Sequence, residues 1–460
     1  MLLSSFSSMP LEAKAVRRKK ISNPILWVVL GYLGFILIGA LLLALPISHQ
    51  KDTSFLDHIF ISTSAVCVTG LATIDIGTTY SHFGHYVILF LMQIGGLGIM
   101  TISTTLILLA GMRPGFSHQS VFLDQFSQEN LAPTKVLKAV LPFTFGIEAV
   151  GLIVYFTQFK EAEIYDRFFS ALFQTVSTFC NVGFSLYPDS LIQYGSNPIV
   201  VITSSLLVLA GGFGFLAITE LPNLFSSKKK ISLHTKLASL VTIILVVFAS
   251  CFFLFMEFGN SLENLPFGEK ILAAISYGSI SRTAGLNLSQ FGMLSSGTLL
   301  LTTLLMFIGA NPGSCGGGIK TTTAAVIAVL GINRLLGKKN TMVFGRTIPQ
   351  ETVNKAVYIF IIGVIVIFLA TLLLLITENG NAPYTDTGIQ FIKILFEVSS
   401  AYATCGLSLG ITSELSSFGE VVICFVMFIG RLGPLFLISA VVSPNRDNGI
   451  WYSEENIMVG

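Results

Sequence analysis

The chain has 460 residues and a formal net charge of only +2, with 53% of its residues hydrophobic, 11% charged and a mean hydropathy of +0.79. A water-soluble fold of this size cannot hide so much apolar surface, so the composition excludes a soluble globular protein and requires a membrane. Six cysteines (Cys67, Cys180, Cys251, Cys315, Cys405 and Cys424) lie in or beside apolar segments without metal-type spacing, and are read as small residues packed in a membrane interior.

Residues 1–24 form a polar tail that ends on Arg17, Arg18, Lys19 and Lys20. The apolar run from Pro24 to Pro46 is too long for a signal-peptide core, and no small-residue cleavage site clearly follows it. It is a retained first span, with the N-terminus inside. Apolar runs recur near 137–157, 236–257 and 355–377, and a second set follows near 86–111, 198–219, 297–330 and 419–442. Between each first run and its second, immediately before a Gly, lies a stretch of roughly a dozen residues, such as Asp166 to Thr178 or Ile389 to Ala401, too short to cross a bilayer but suited to a re-entrant helix.

Those stretches lead into four segments that align without gaps: FISTSAVCVTGL, FQTVSTFCNVGF, ISYGSISRTAGL and FEVSSAYATCGL. Each carries a Gly (Gly70, Gly183, Gly285, Gly406) with a Ser six residues earlier (Ser64, Ser177, Ser279, Ser400) and a bulky apolar residue ten earlier (Phe60, Phe173, Ile275, Phe396). The glycines are 113, 102 and 121 residues apart, the mark of an internal repeat. The expected fold is an all-α integral membrane protein of four helix–pore loop–helix repeats, at 25–111, 137–219, 236–330 and 355–442. Eight transmembrane helices and four re-entrant pore helices would surround a pseudo-four-fold ion pore, with a cytoplasmic tail at 443–460.

Lys and Arg set the orientation. Eighteen fall in segments that would be inner, among them Arg113, Lys135, Lys228, Lys236, Arg334, Lys338, Lys339, Arg346 and Arg446, against six in outer ones: Lys51, Lys160, Arg167, Lys270, Arg282 and Lys393. The positive-inside rule then puts both termini in the cytoplasm and turns the four glycine segments outward. Acidic residues such as Asp52, Asp57, Glu161 and Glu263 are placed outside, where they would concentrate cations.

Four half-helices aimed at one axis would bring the partial negative charge of their C-termini to it. Backbone carbonyls in the turn that follows can replace an ion's hydration shell, provided the chain bends closely about the axis, which glycine permits. The expected filter is therefore Val68, Thr69 and Gly70; Asn181, Val182 and Gly183; Thr283, Ala284 and Gly285; Thr404, Cys405 and Gly406. None of these is a carboxylate, so the ligands should be carbonyls and the ion a weakly hydrated monovalent cation, held at the filter glycines only. Arg282 stands three residues before Gly285 and calls for a carboxylate partner, with Glu397 and Glu269 as candidates.

The second runs share a further signature, Gly95-Gly96-Leu97-Gly98, Gly211-Gly212-Phe213-Gly214 and Gly430-Arg431-Leu432-Gly433, attributed to close helix packing. The third repeat breaks it. Gly309, Asn311, Pro312, Gly313, Ser314, Gly316, Gly317, Gly318 and Lys320 fall within one twelve-residue stretch that cannot continue a straight helix. The expected element is a mobile intramembrane gating loop at 309–320 under the filter, the alternative being a kinked helix packed on a neighbour. In the fourth repeat Arg431 replaces a Gly deep in a span, where an Arg usually has a role rather than snorkelling to an interface.

On these residues the chain resembles the Trk/Ktr/HKT superfamily of potassium transporters from about residue 24 onward, and within it the Ktr membrane subunit. The short tail before the first repeat is expected to leave no room for two additional N-terminal helices of the Trk type. Gly70, where sodium-passing members tend to carry Ser, implies K⁺. The resemblance further implies that 309–320 is the gating loop, that the subunit forms homodimers, and that it sits on a cytosolic nucleotide-binding ring of the RCK type, the Ktr regulatory subunit. Na⁺ is left open as co-ion or activator.

The tail ends with apolar Trp451, Tyr452, Ile457, Met458 and Val459, and is assigned to the dimer contact or the ring. The basic loops at 228–236 and 334–346 would offer further docking surface for that ring. Membrane lipid is the other expected partner, and no nucleic acid is. A sodium- or proton-coupled secondary transporter of another small cation is the rival, but it predicts units of alternating orientation. No enzyme and no covalent cofactor are expected: the six histidines pair closely only at His82 and His85, in an outer loop, and no nucleotide-binding fingerprint follows a strand.

Overall fold

The computed structural model describes residues 24–98, 133–224, 231–288, 294–380 and 383–433. The basic tail ahead of residue 24, residues 99–111, Lys228 to Lys230 and everything after Gly433 lie outside the described residues.

Among the described residues the chain is helical apart from one two-stranded hairpin, and its helices recur in one order: a long helix, a shorter one ending just before a glycine turn, then another. The first unit has α1 (Pro24–Leu43), α2 (Phe55–Cys67), the single turn α3 (Ile76–Thr79) and α4 (His82–Leu97). The second has α5 (Pro133–Gln158), α6 (Ile164–Phe179), α7 (Pro198–Gly212) and α8 (Phe215–Leu224). The third has α9 (Leu233–Glu257), α10 (Phe267–Ile280), α11 (Ser296–Phe307) and α12 (Thr321–Leu335), followed by the hairpin β1 (Met342–Val343) and β2 (Arg346–Thr347). The last has α13 (Gln350–Asn379), α14 (Tyr384–Ala403) and α15 (Ser417–Leu432).

Among the described residues four helices are long and apolar enough to cross a membrane, and they are α1, α5, α9 and α13, the first helix of each unit. The later helices of each unit are shorter, and their starts are set by local chemistry. Ser81, Asn197, Ser295 and Ser416 each precede one, and each side chain accepts a hydrogen bond from a backbone N–H of the first turn, at 3.4, 3.0, 3.3 and 3.2 Å.

Two boundaries differ from those read in the sequence. The second run of the second unit is not one helix over 198–219: α7 stops at Gly212, and Gly214, at φ +89°, turns the chain before α8 begins. The short helix of the fourth unit is not a dozen residues but 20, because Tyr384 to Gly388 continue it before the apolar stretch.

The units interlock in a ring. α4 packs on α6, α7 on α10, α11 on α14, and α15 returns to α2, so each unit's later helix supports the next unit's short helix. Phe60, Phe173 and Phe396 have no exposed surface in this packing, whereas Ile275, at the matching position of α10, is exposed.

Candidate functional site

The four glycine turns meet. A Cβ built on Gly70 would stand 3.4 Å from the Cα of Gly183; one on Gly183, 2.9 Å from the Cα of Gly285; one on Gly285, 2.8 Å from the Cα of Gly406; and one on Gly406, 3.1 Å from the Cα of Gly70. The circuit closes. In each step the carbonyl oxygen of the residue before a glycine, Val182, Ala284, Cys405 or Thr69, occupies the space a methyl group would need. Gly70, Gly183, Gly285 and Gly406 have φ of +92, +92, +54 and +91°, a region L-residues avoid, so both conformation and contact require glycine here.

The repeated Ser acts in this turn. Ser64 Oγ accepts from the N–H of Gly70, and Ser400 Oγ from that of Gly406, both at 3.0 Å, while the carbonyls of Ser64, Ser177 and Ser400 accept from Thr69, Val182 and Cys405 at 2.8, 2.8 and 2.9 Å. Val68, Asn181 and Thr404 open the turns at φ +60, +59 and +48°. The third unit departs from this pattern. Thr283 lies outside that region, and Ser279 Oγ turns back to the carbonyl of Ile275.

Among the described residues no carboxylate pairs with Arg282. Its Nη2 donates to the carbonyl of Gly309 at 2.7 Å and its Nε to that of Ile308 at 3.5 Å, while Glu397 accepts from the hydroxyls of Ser408 and Thr412. The expectation of Glu397 or Glu269 is thereby corrected: α11 ends at Phe307, so the carbonyls beyond it are free to take the guanidinium.

Residues 308–320 contain no helix, and they pass directly beneath the ring, at the end where the short helices terminate. A Cβ on Gly316 would lie 3.3 Å from Thr283 Cγ2, one on Gly317 2.7 Å from Thr404 Cγ2, and one on Gly318 3.2 Å from Ala403 Cα. On one side the segment is tied to the break between α7 and α8: the N–H groups of Asn311 and Cys315 donate to Gly212 and Gly211 at 3.2 and 3.1 Å, Phe215 N–H donates to Gly313 at 2.7 Å, and Asn311 Nδ2 to Phe213 at 3.0 Å. Pro312 O stands 2.7 Å from where a Cβ on Gly214 would be. Internally, Ser314 Oγ donates to Asn311 O at 2.6 Å and Lys320 Nζ to Gly316 O at 2.5 Å. On the far side Arg431 donates to two carbonyls, Cys315 in this segment and Gly95 on α4. The segment thus touches the second, third and fourth units, and Arg431 links it to the first through Gly95.

A family model described as TrkH, cation transport protein, matches residues 12–448 of the chain. The chain belongs to the TrkH family.

Relatives at higher identity include the Ktr system potassium uptake protein B of Bacillus subtilis, 36% identical over 94% of this chain and 95% of its own. Another is the potassium/sodium uptake protein NtpJ of Enterococcus hirae, 34% identical over 98% of this chain and all of its own length. The crystal structure of the potassium transporter TrkH from Vibrio parahaemolyticus is similar in fold, with a TM-score of 0.74 at 18% identity, covering 93% of this chain and 86% of that one. Within this TrkH-family chain, several contacts had no anticipation in the sequence: the dock on Gly211 to Phe215, the Gly95 acceptor, and the hold of Thr242 Oγ1 on Asn311 Oδ1 at 3.1 Å. Gly214 carried a signal for the first, since a glycine at the end of a GGFG run is as fit to break a helix as to pack one.

Proposed function

We propose that this chain mediates K⁺ uptake across the cytoplasmic membrane through the ring of Gly70, Gly183, Gly285 and Gly406, which acts as a carbonyl-lined selectivity filter, with residues 309–320 as the gate. The closed circuit of glycines carries this reading, because it gathers backbone oxygens from four matched turns without a carboxylate among them. α2, α6, α10 and α14 end at the ring, so their C-terminal partial charges favour a cation. Carbonyl ligands suit a monovalent ion that sheds water easily. Arg282, the cation nearest the ring in sequence, has its charge taken up by the carbonyls of Ile308 and Gly309. The Bacillus and Enterococcus relatives are both named for potassium uptake.

The repeats at 25–111, 137–219, 236–330 and 355–442 each contribute two spans to this pore, the second being broken at Phe213 and Gly214 in the second repeat and at 308–320 in the third, and both termini lie in the cytoplasm. In this reading the Gly-rich stretch Gly309 to Lys320 obstructs the path, and the hydrogen bond from Arg431 to Cys315 O would hold it there. A homodimer seated on a cytosolic nucleotide-binding ring would regulate it, in keeping with the Ktr system naming of two relatives. Sodium in the name of the Enterococcus relative favours a second reading in which Na⁺ is a co-ion or activator. Purified chain in liposomes tests the proposal: Rb⁺ and K⁺ should enter in preference to Na⁺, and equal uptake of all three would refute it.

A further inference from the structure

The hairpin between α12 and α13 is unlike the rest of the molecule. β1 and β2 pair antiparallel, Met342 with Thr347 and Val343 with Arg346, so only Phe344 and Gly345 form the turn. Both sit at positive φ, +48 and +71°. A two-residue turn of this kind favours Asn-Gly or Asp-Gly, and a Phe at its first position is a costly choice. The ring of Phe344 is not repaid by burial within the chain: it is 55% exposed at the tip. Leu335 and Leu336, where α12 ends, are 89% and 65% exposed.

Around these apolar side chains stand Arg334, Lys338, Lys339 and Arg346, all exposed, with no acidic residue from 334 to 350. The hairpin is nonetheless firmly built. Val343 packs against the cluster of Val326, Ile348, Val353 and Ala356, Asn333 Nδ2 donates to Met342 O at 2.9 Å, and Ile348 N–H donates to Thr341 O at 2.8 Å.

Its depth follows from the helices it joins, given the membrane orientation proposed above. α13 has 30 residues, so it is about 45 Å long against a hydrocarbon core of about 30 Å. Its first turns hold Gln350, Glu351, Asn354 and Lys355 and its last turn Glu378 and Asn379, so the excess of about 15 Å divides between the two ends, about one headgroup layer at each. The hairpin therefore lies at headgroup level rather than out in the cytosol.

We propose that this hairpin is an anionic-lipid clamp: Phe344 with Leu335 and Leu336 enters the edge of the acyl region while Arg334, Lys338, Lys339 and Arg346 bind the phosphate groups of acidic phospholipid. A basic rim around apolar anchors matches the inner leaflet in both charge and polarity. The clamp would brace α12, the helix that leads directly out of the 309–320 segment.

The test uses the full chain in phosphatidylcholine liposomes containing brominated phosphatidylglycerol, or brominated phosphatidylcholine, at equal mole fraction. Phe344→Trp supplies the fluorophore, and the unsubstituted chain corrects for Trp27 and Trp451. Brominated phosphatidylglycerol is expected to quench the new Trp at least about two-fold more than brominated phosphatidylcholine, from the attraction of the basic residues. Adding K338Q, K339Q and R346Q should bring the two to parity. Quenching by neither lipid, equal quenching that the charge substitutions leave unchanged, or an emission that responds only when an acidic soluble protein is added would overturn the proposal. Ion uptake measured in the same vesicles separates a failure here from a failure of the transport reading.

Discussion

Arg431 is the side chain through which removing a few atoms should do most to the gate. Its guanidinium bridges Cys315 O in the 309–320 segment and Gly95 O on α4, tying the proposed gate to α4 as its dock ties it to α7. A hydrogen bond from a charged donor contributes about 1.5–3 kcal/mol. Losing the one to Cys315 in Arg431→Gln shifts the balance between obstructed and open by about 10- to 100-fold, at 1.4 kcal/mol per decade. The α7 dock remains, with four hydrogen bonds through Asn311, Cys315 and Phe215, so the lower end applies. If the path is open about one part in a hundred of the time or less, K⁺ influx should rise about ten-fold. Rb⁺ tracer influx into proteoliposomes, normalised to incorporated protein, measures it. Arg431→Lys keeps the charge but not the paired donors, so an equal rise in that variant assigns the effect to the hydrogen bonds rather than to an electrostatic barrier. Unchanged or reduced influx in a monodisperse Arg431→Gln protein would refute the reasoning.

Deleting residues 313–318 should raise K⁺ influx further than Arg431→Gln, since it removes the Cys315 acceptor of Arg431 and two of the four hydrogen bonds of the α7 dock; reduced influx from a correctly assembled deletion would favour a packed structural segment. Ser400→Ala strips the acceptor from the buried N–H of Gly406; thermal unfolding should show a loss of about 1–3 kcal/mol, accompanied by a weaker preference for K⁺ over Na⁺. Truncation after Arg446, in the part of the chain outside the described residues, should lower the dimer fraction or binding to the cytosolic ring in detergent while leaving ion preference intact.

How much of this was legible depends on whether the chemistry lives in side chains or in the backbone. The four glycines that meet could be read because a positive φ and a carbonyl in the Cβ position both favour glycine, and four matched frames expose the demand. The Gly-rich segment could be read for a related reason: five glycines and Pro312 cannot hold a helix together. Arg282 was misread because its acceptors, the carbonyls of Ile308 and Gly309, have no residue identity, so the sequence offered only carboxylates. The break at Phe213 and Gly214 went unseen because the same glycine pattern serves packing and helix termination; Gly211 does pack, 3.0 Å from Phe179 C by its would-be Cβ, while Gly214 ends the helix. The extra turns of α14 were missed because Tyr384 to Gly388 are too polar to extend an apolar run.

The most direct test of the central claim is the K⁺-to-Na⁺ influx ratio of Gly70→Ser against the unsubstituted chain in matched liposomes. The added Cβ would meet the carbonyl of Val182 from a backbone at φ +92°, a conformation that costs an L-residue about 1–2 kcal/mol, so the ring must open at that contact. A filter of backbone carbonyls predicts that the ratio falls about ten-fold. An unchanged ratio in a folded Gly70→Ser protein would contradict it.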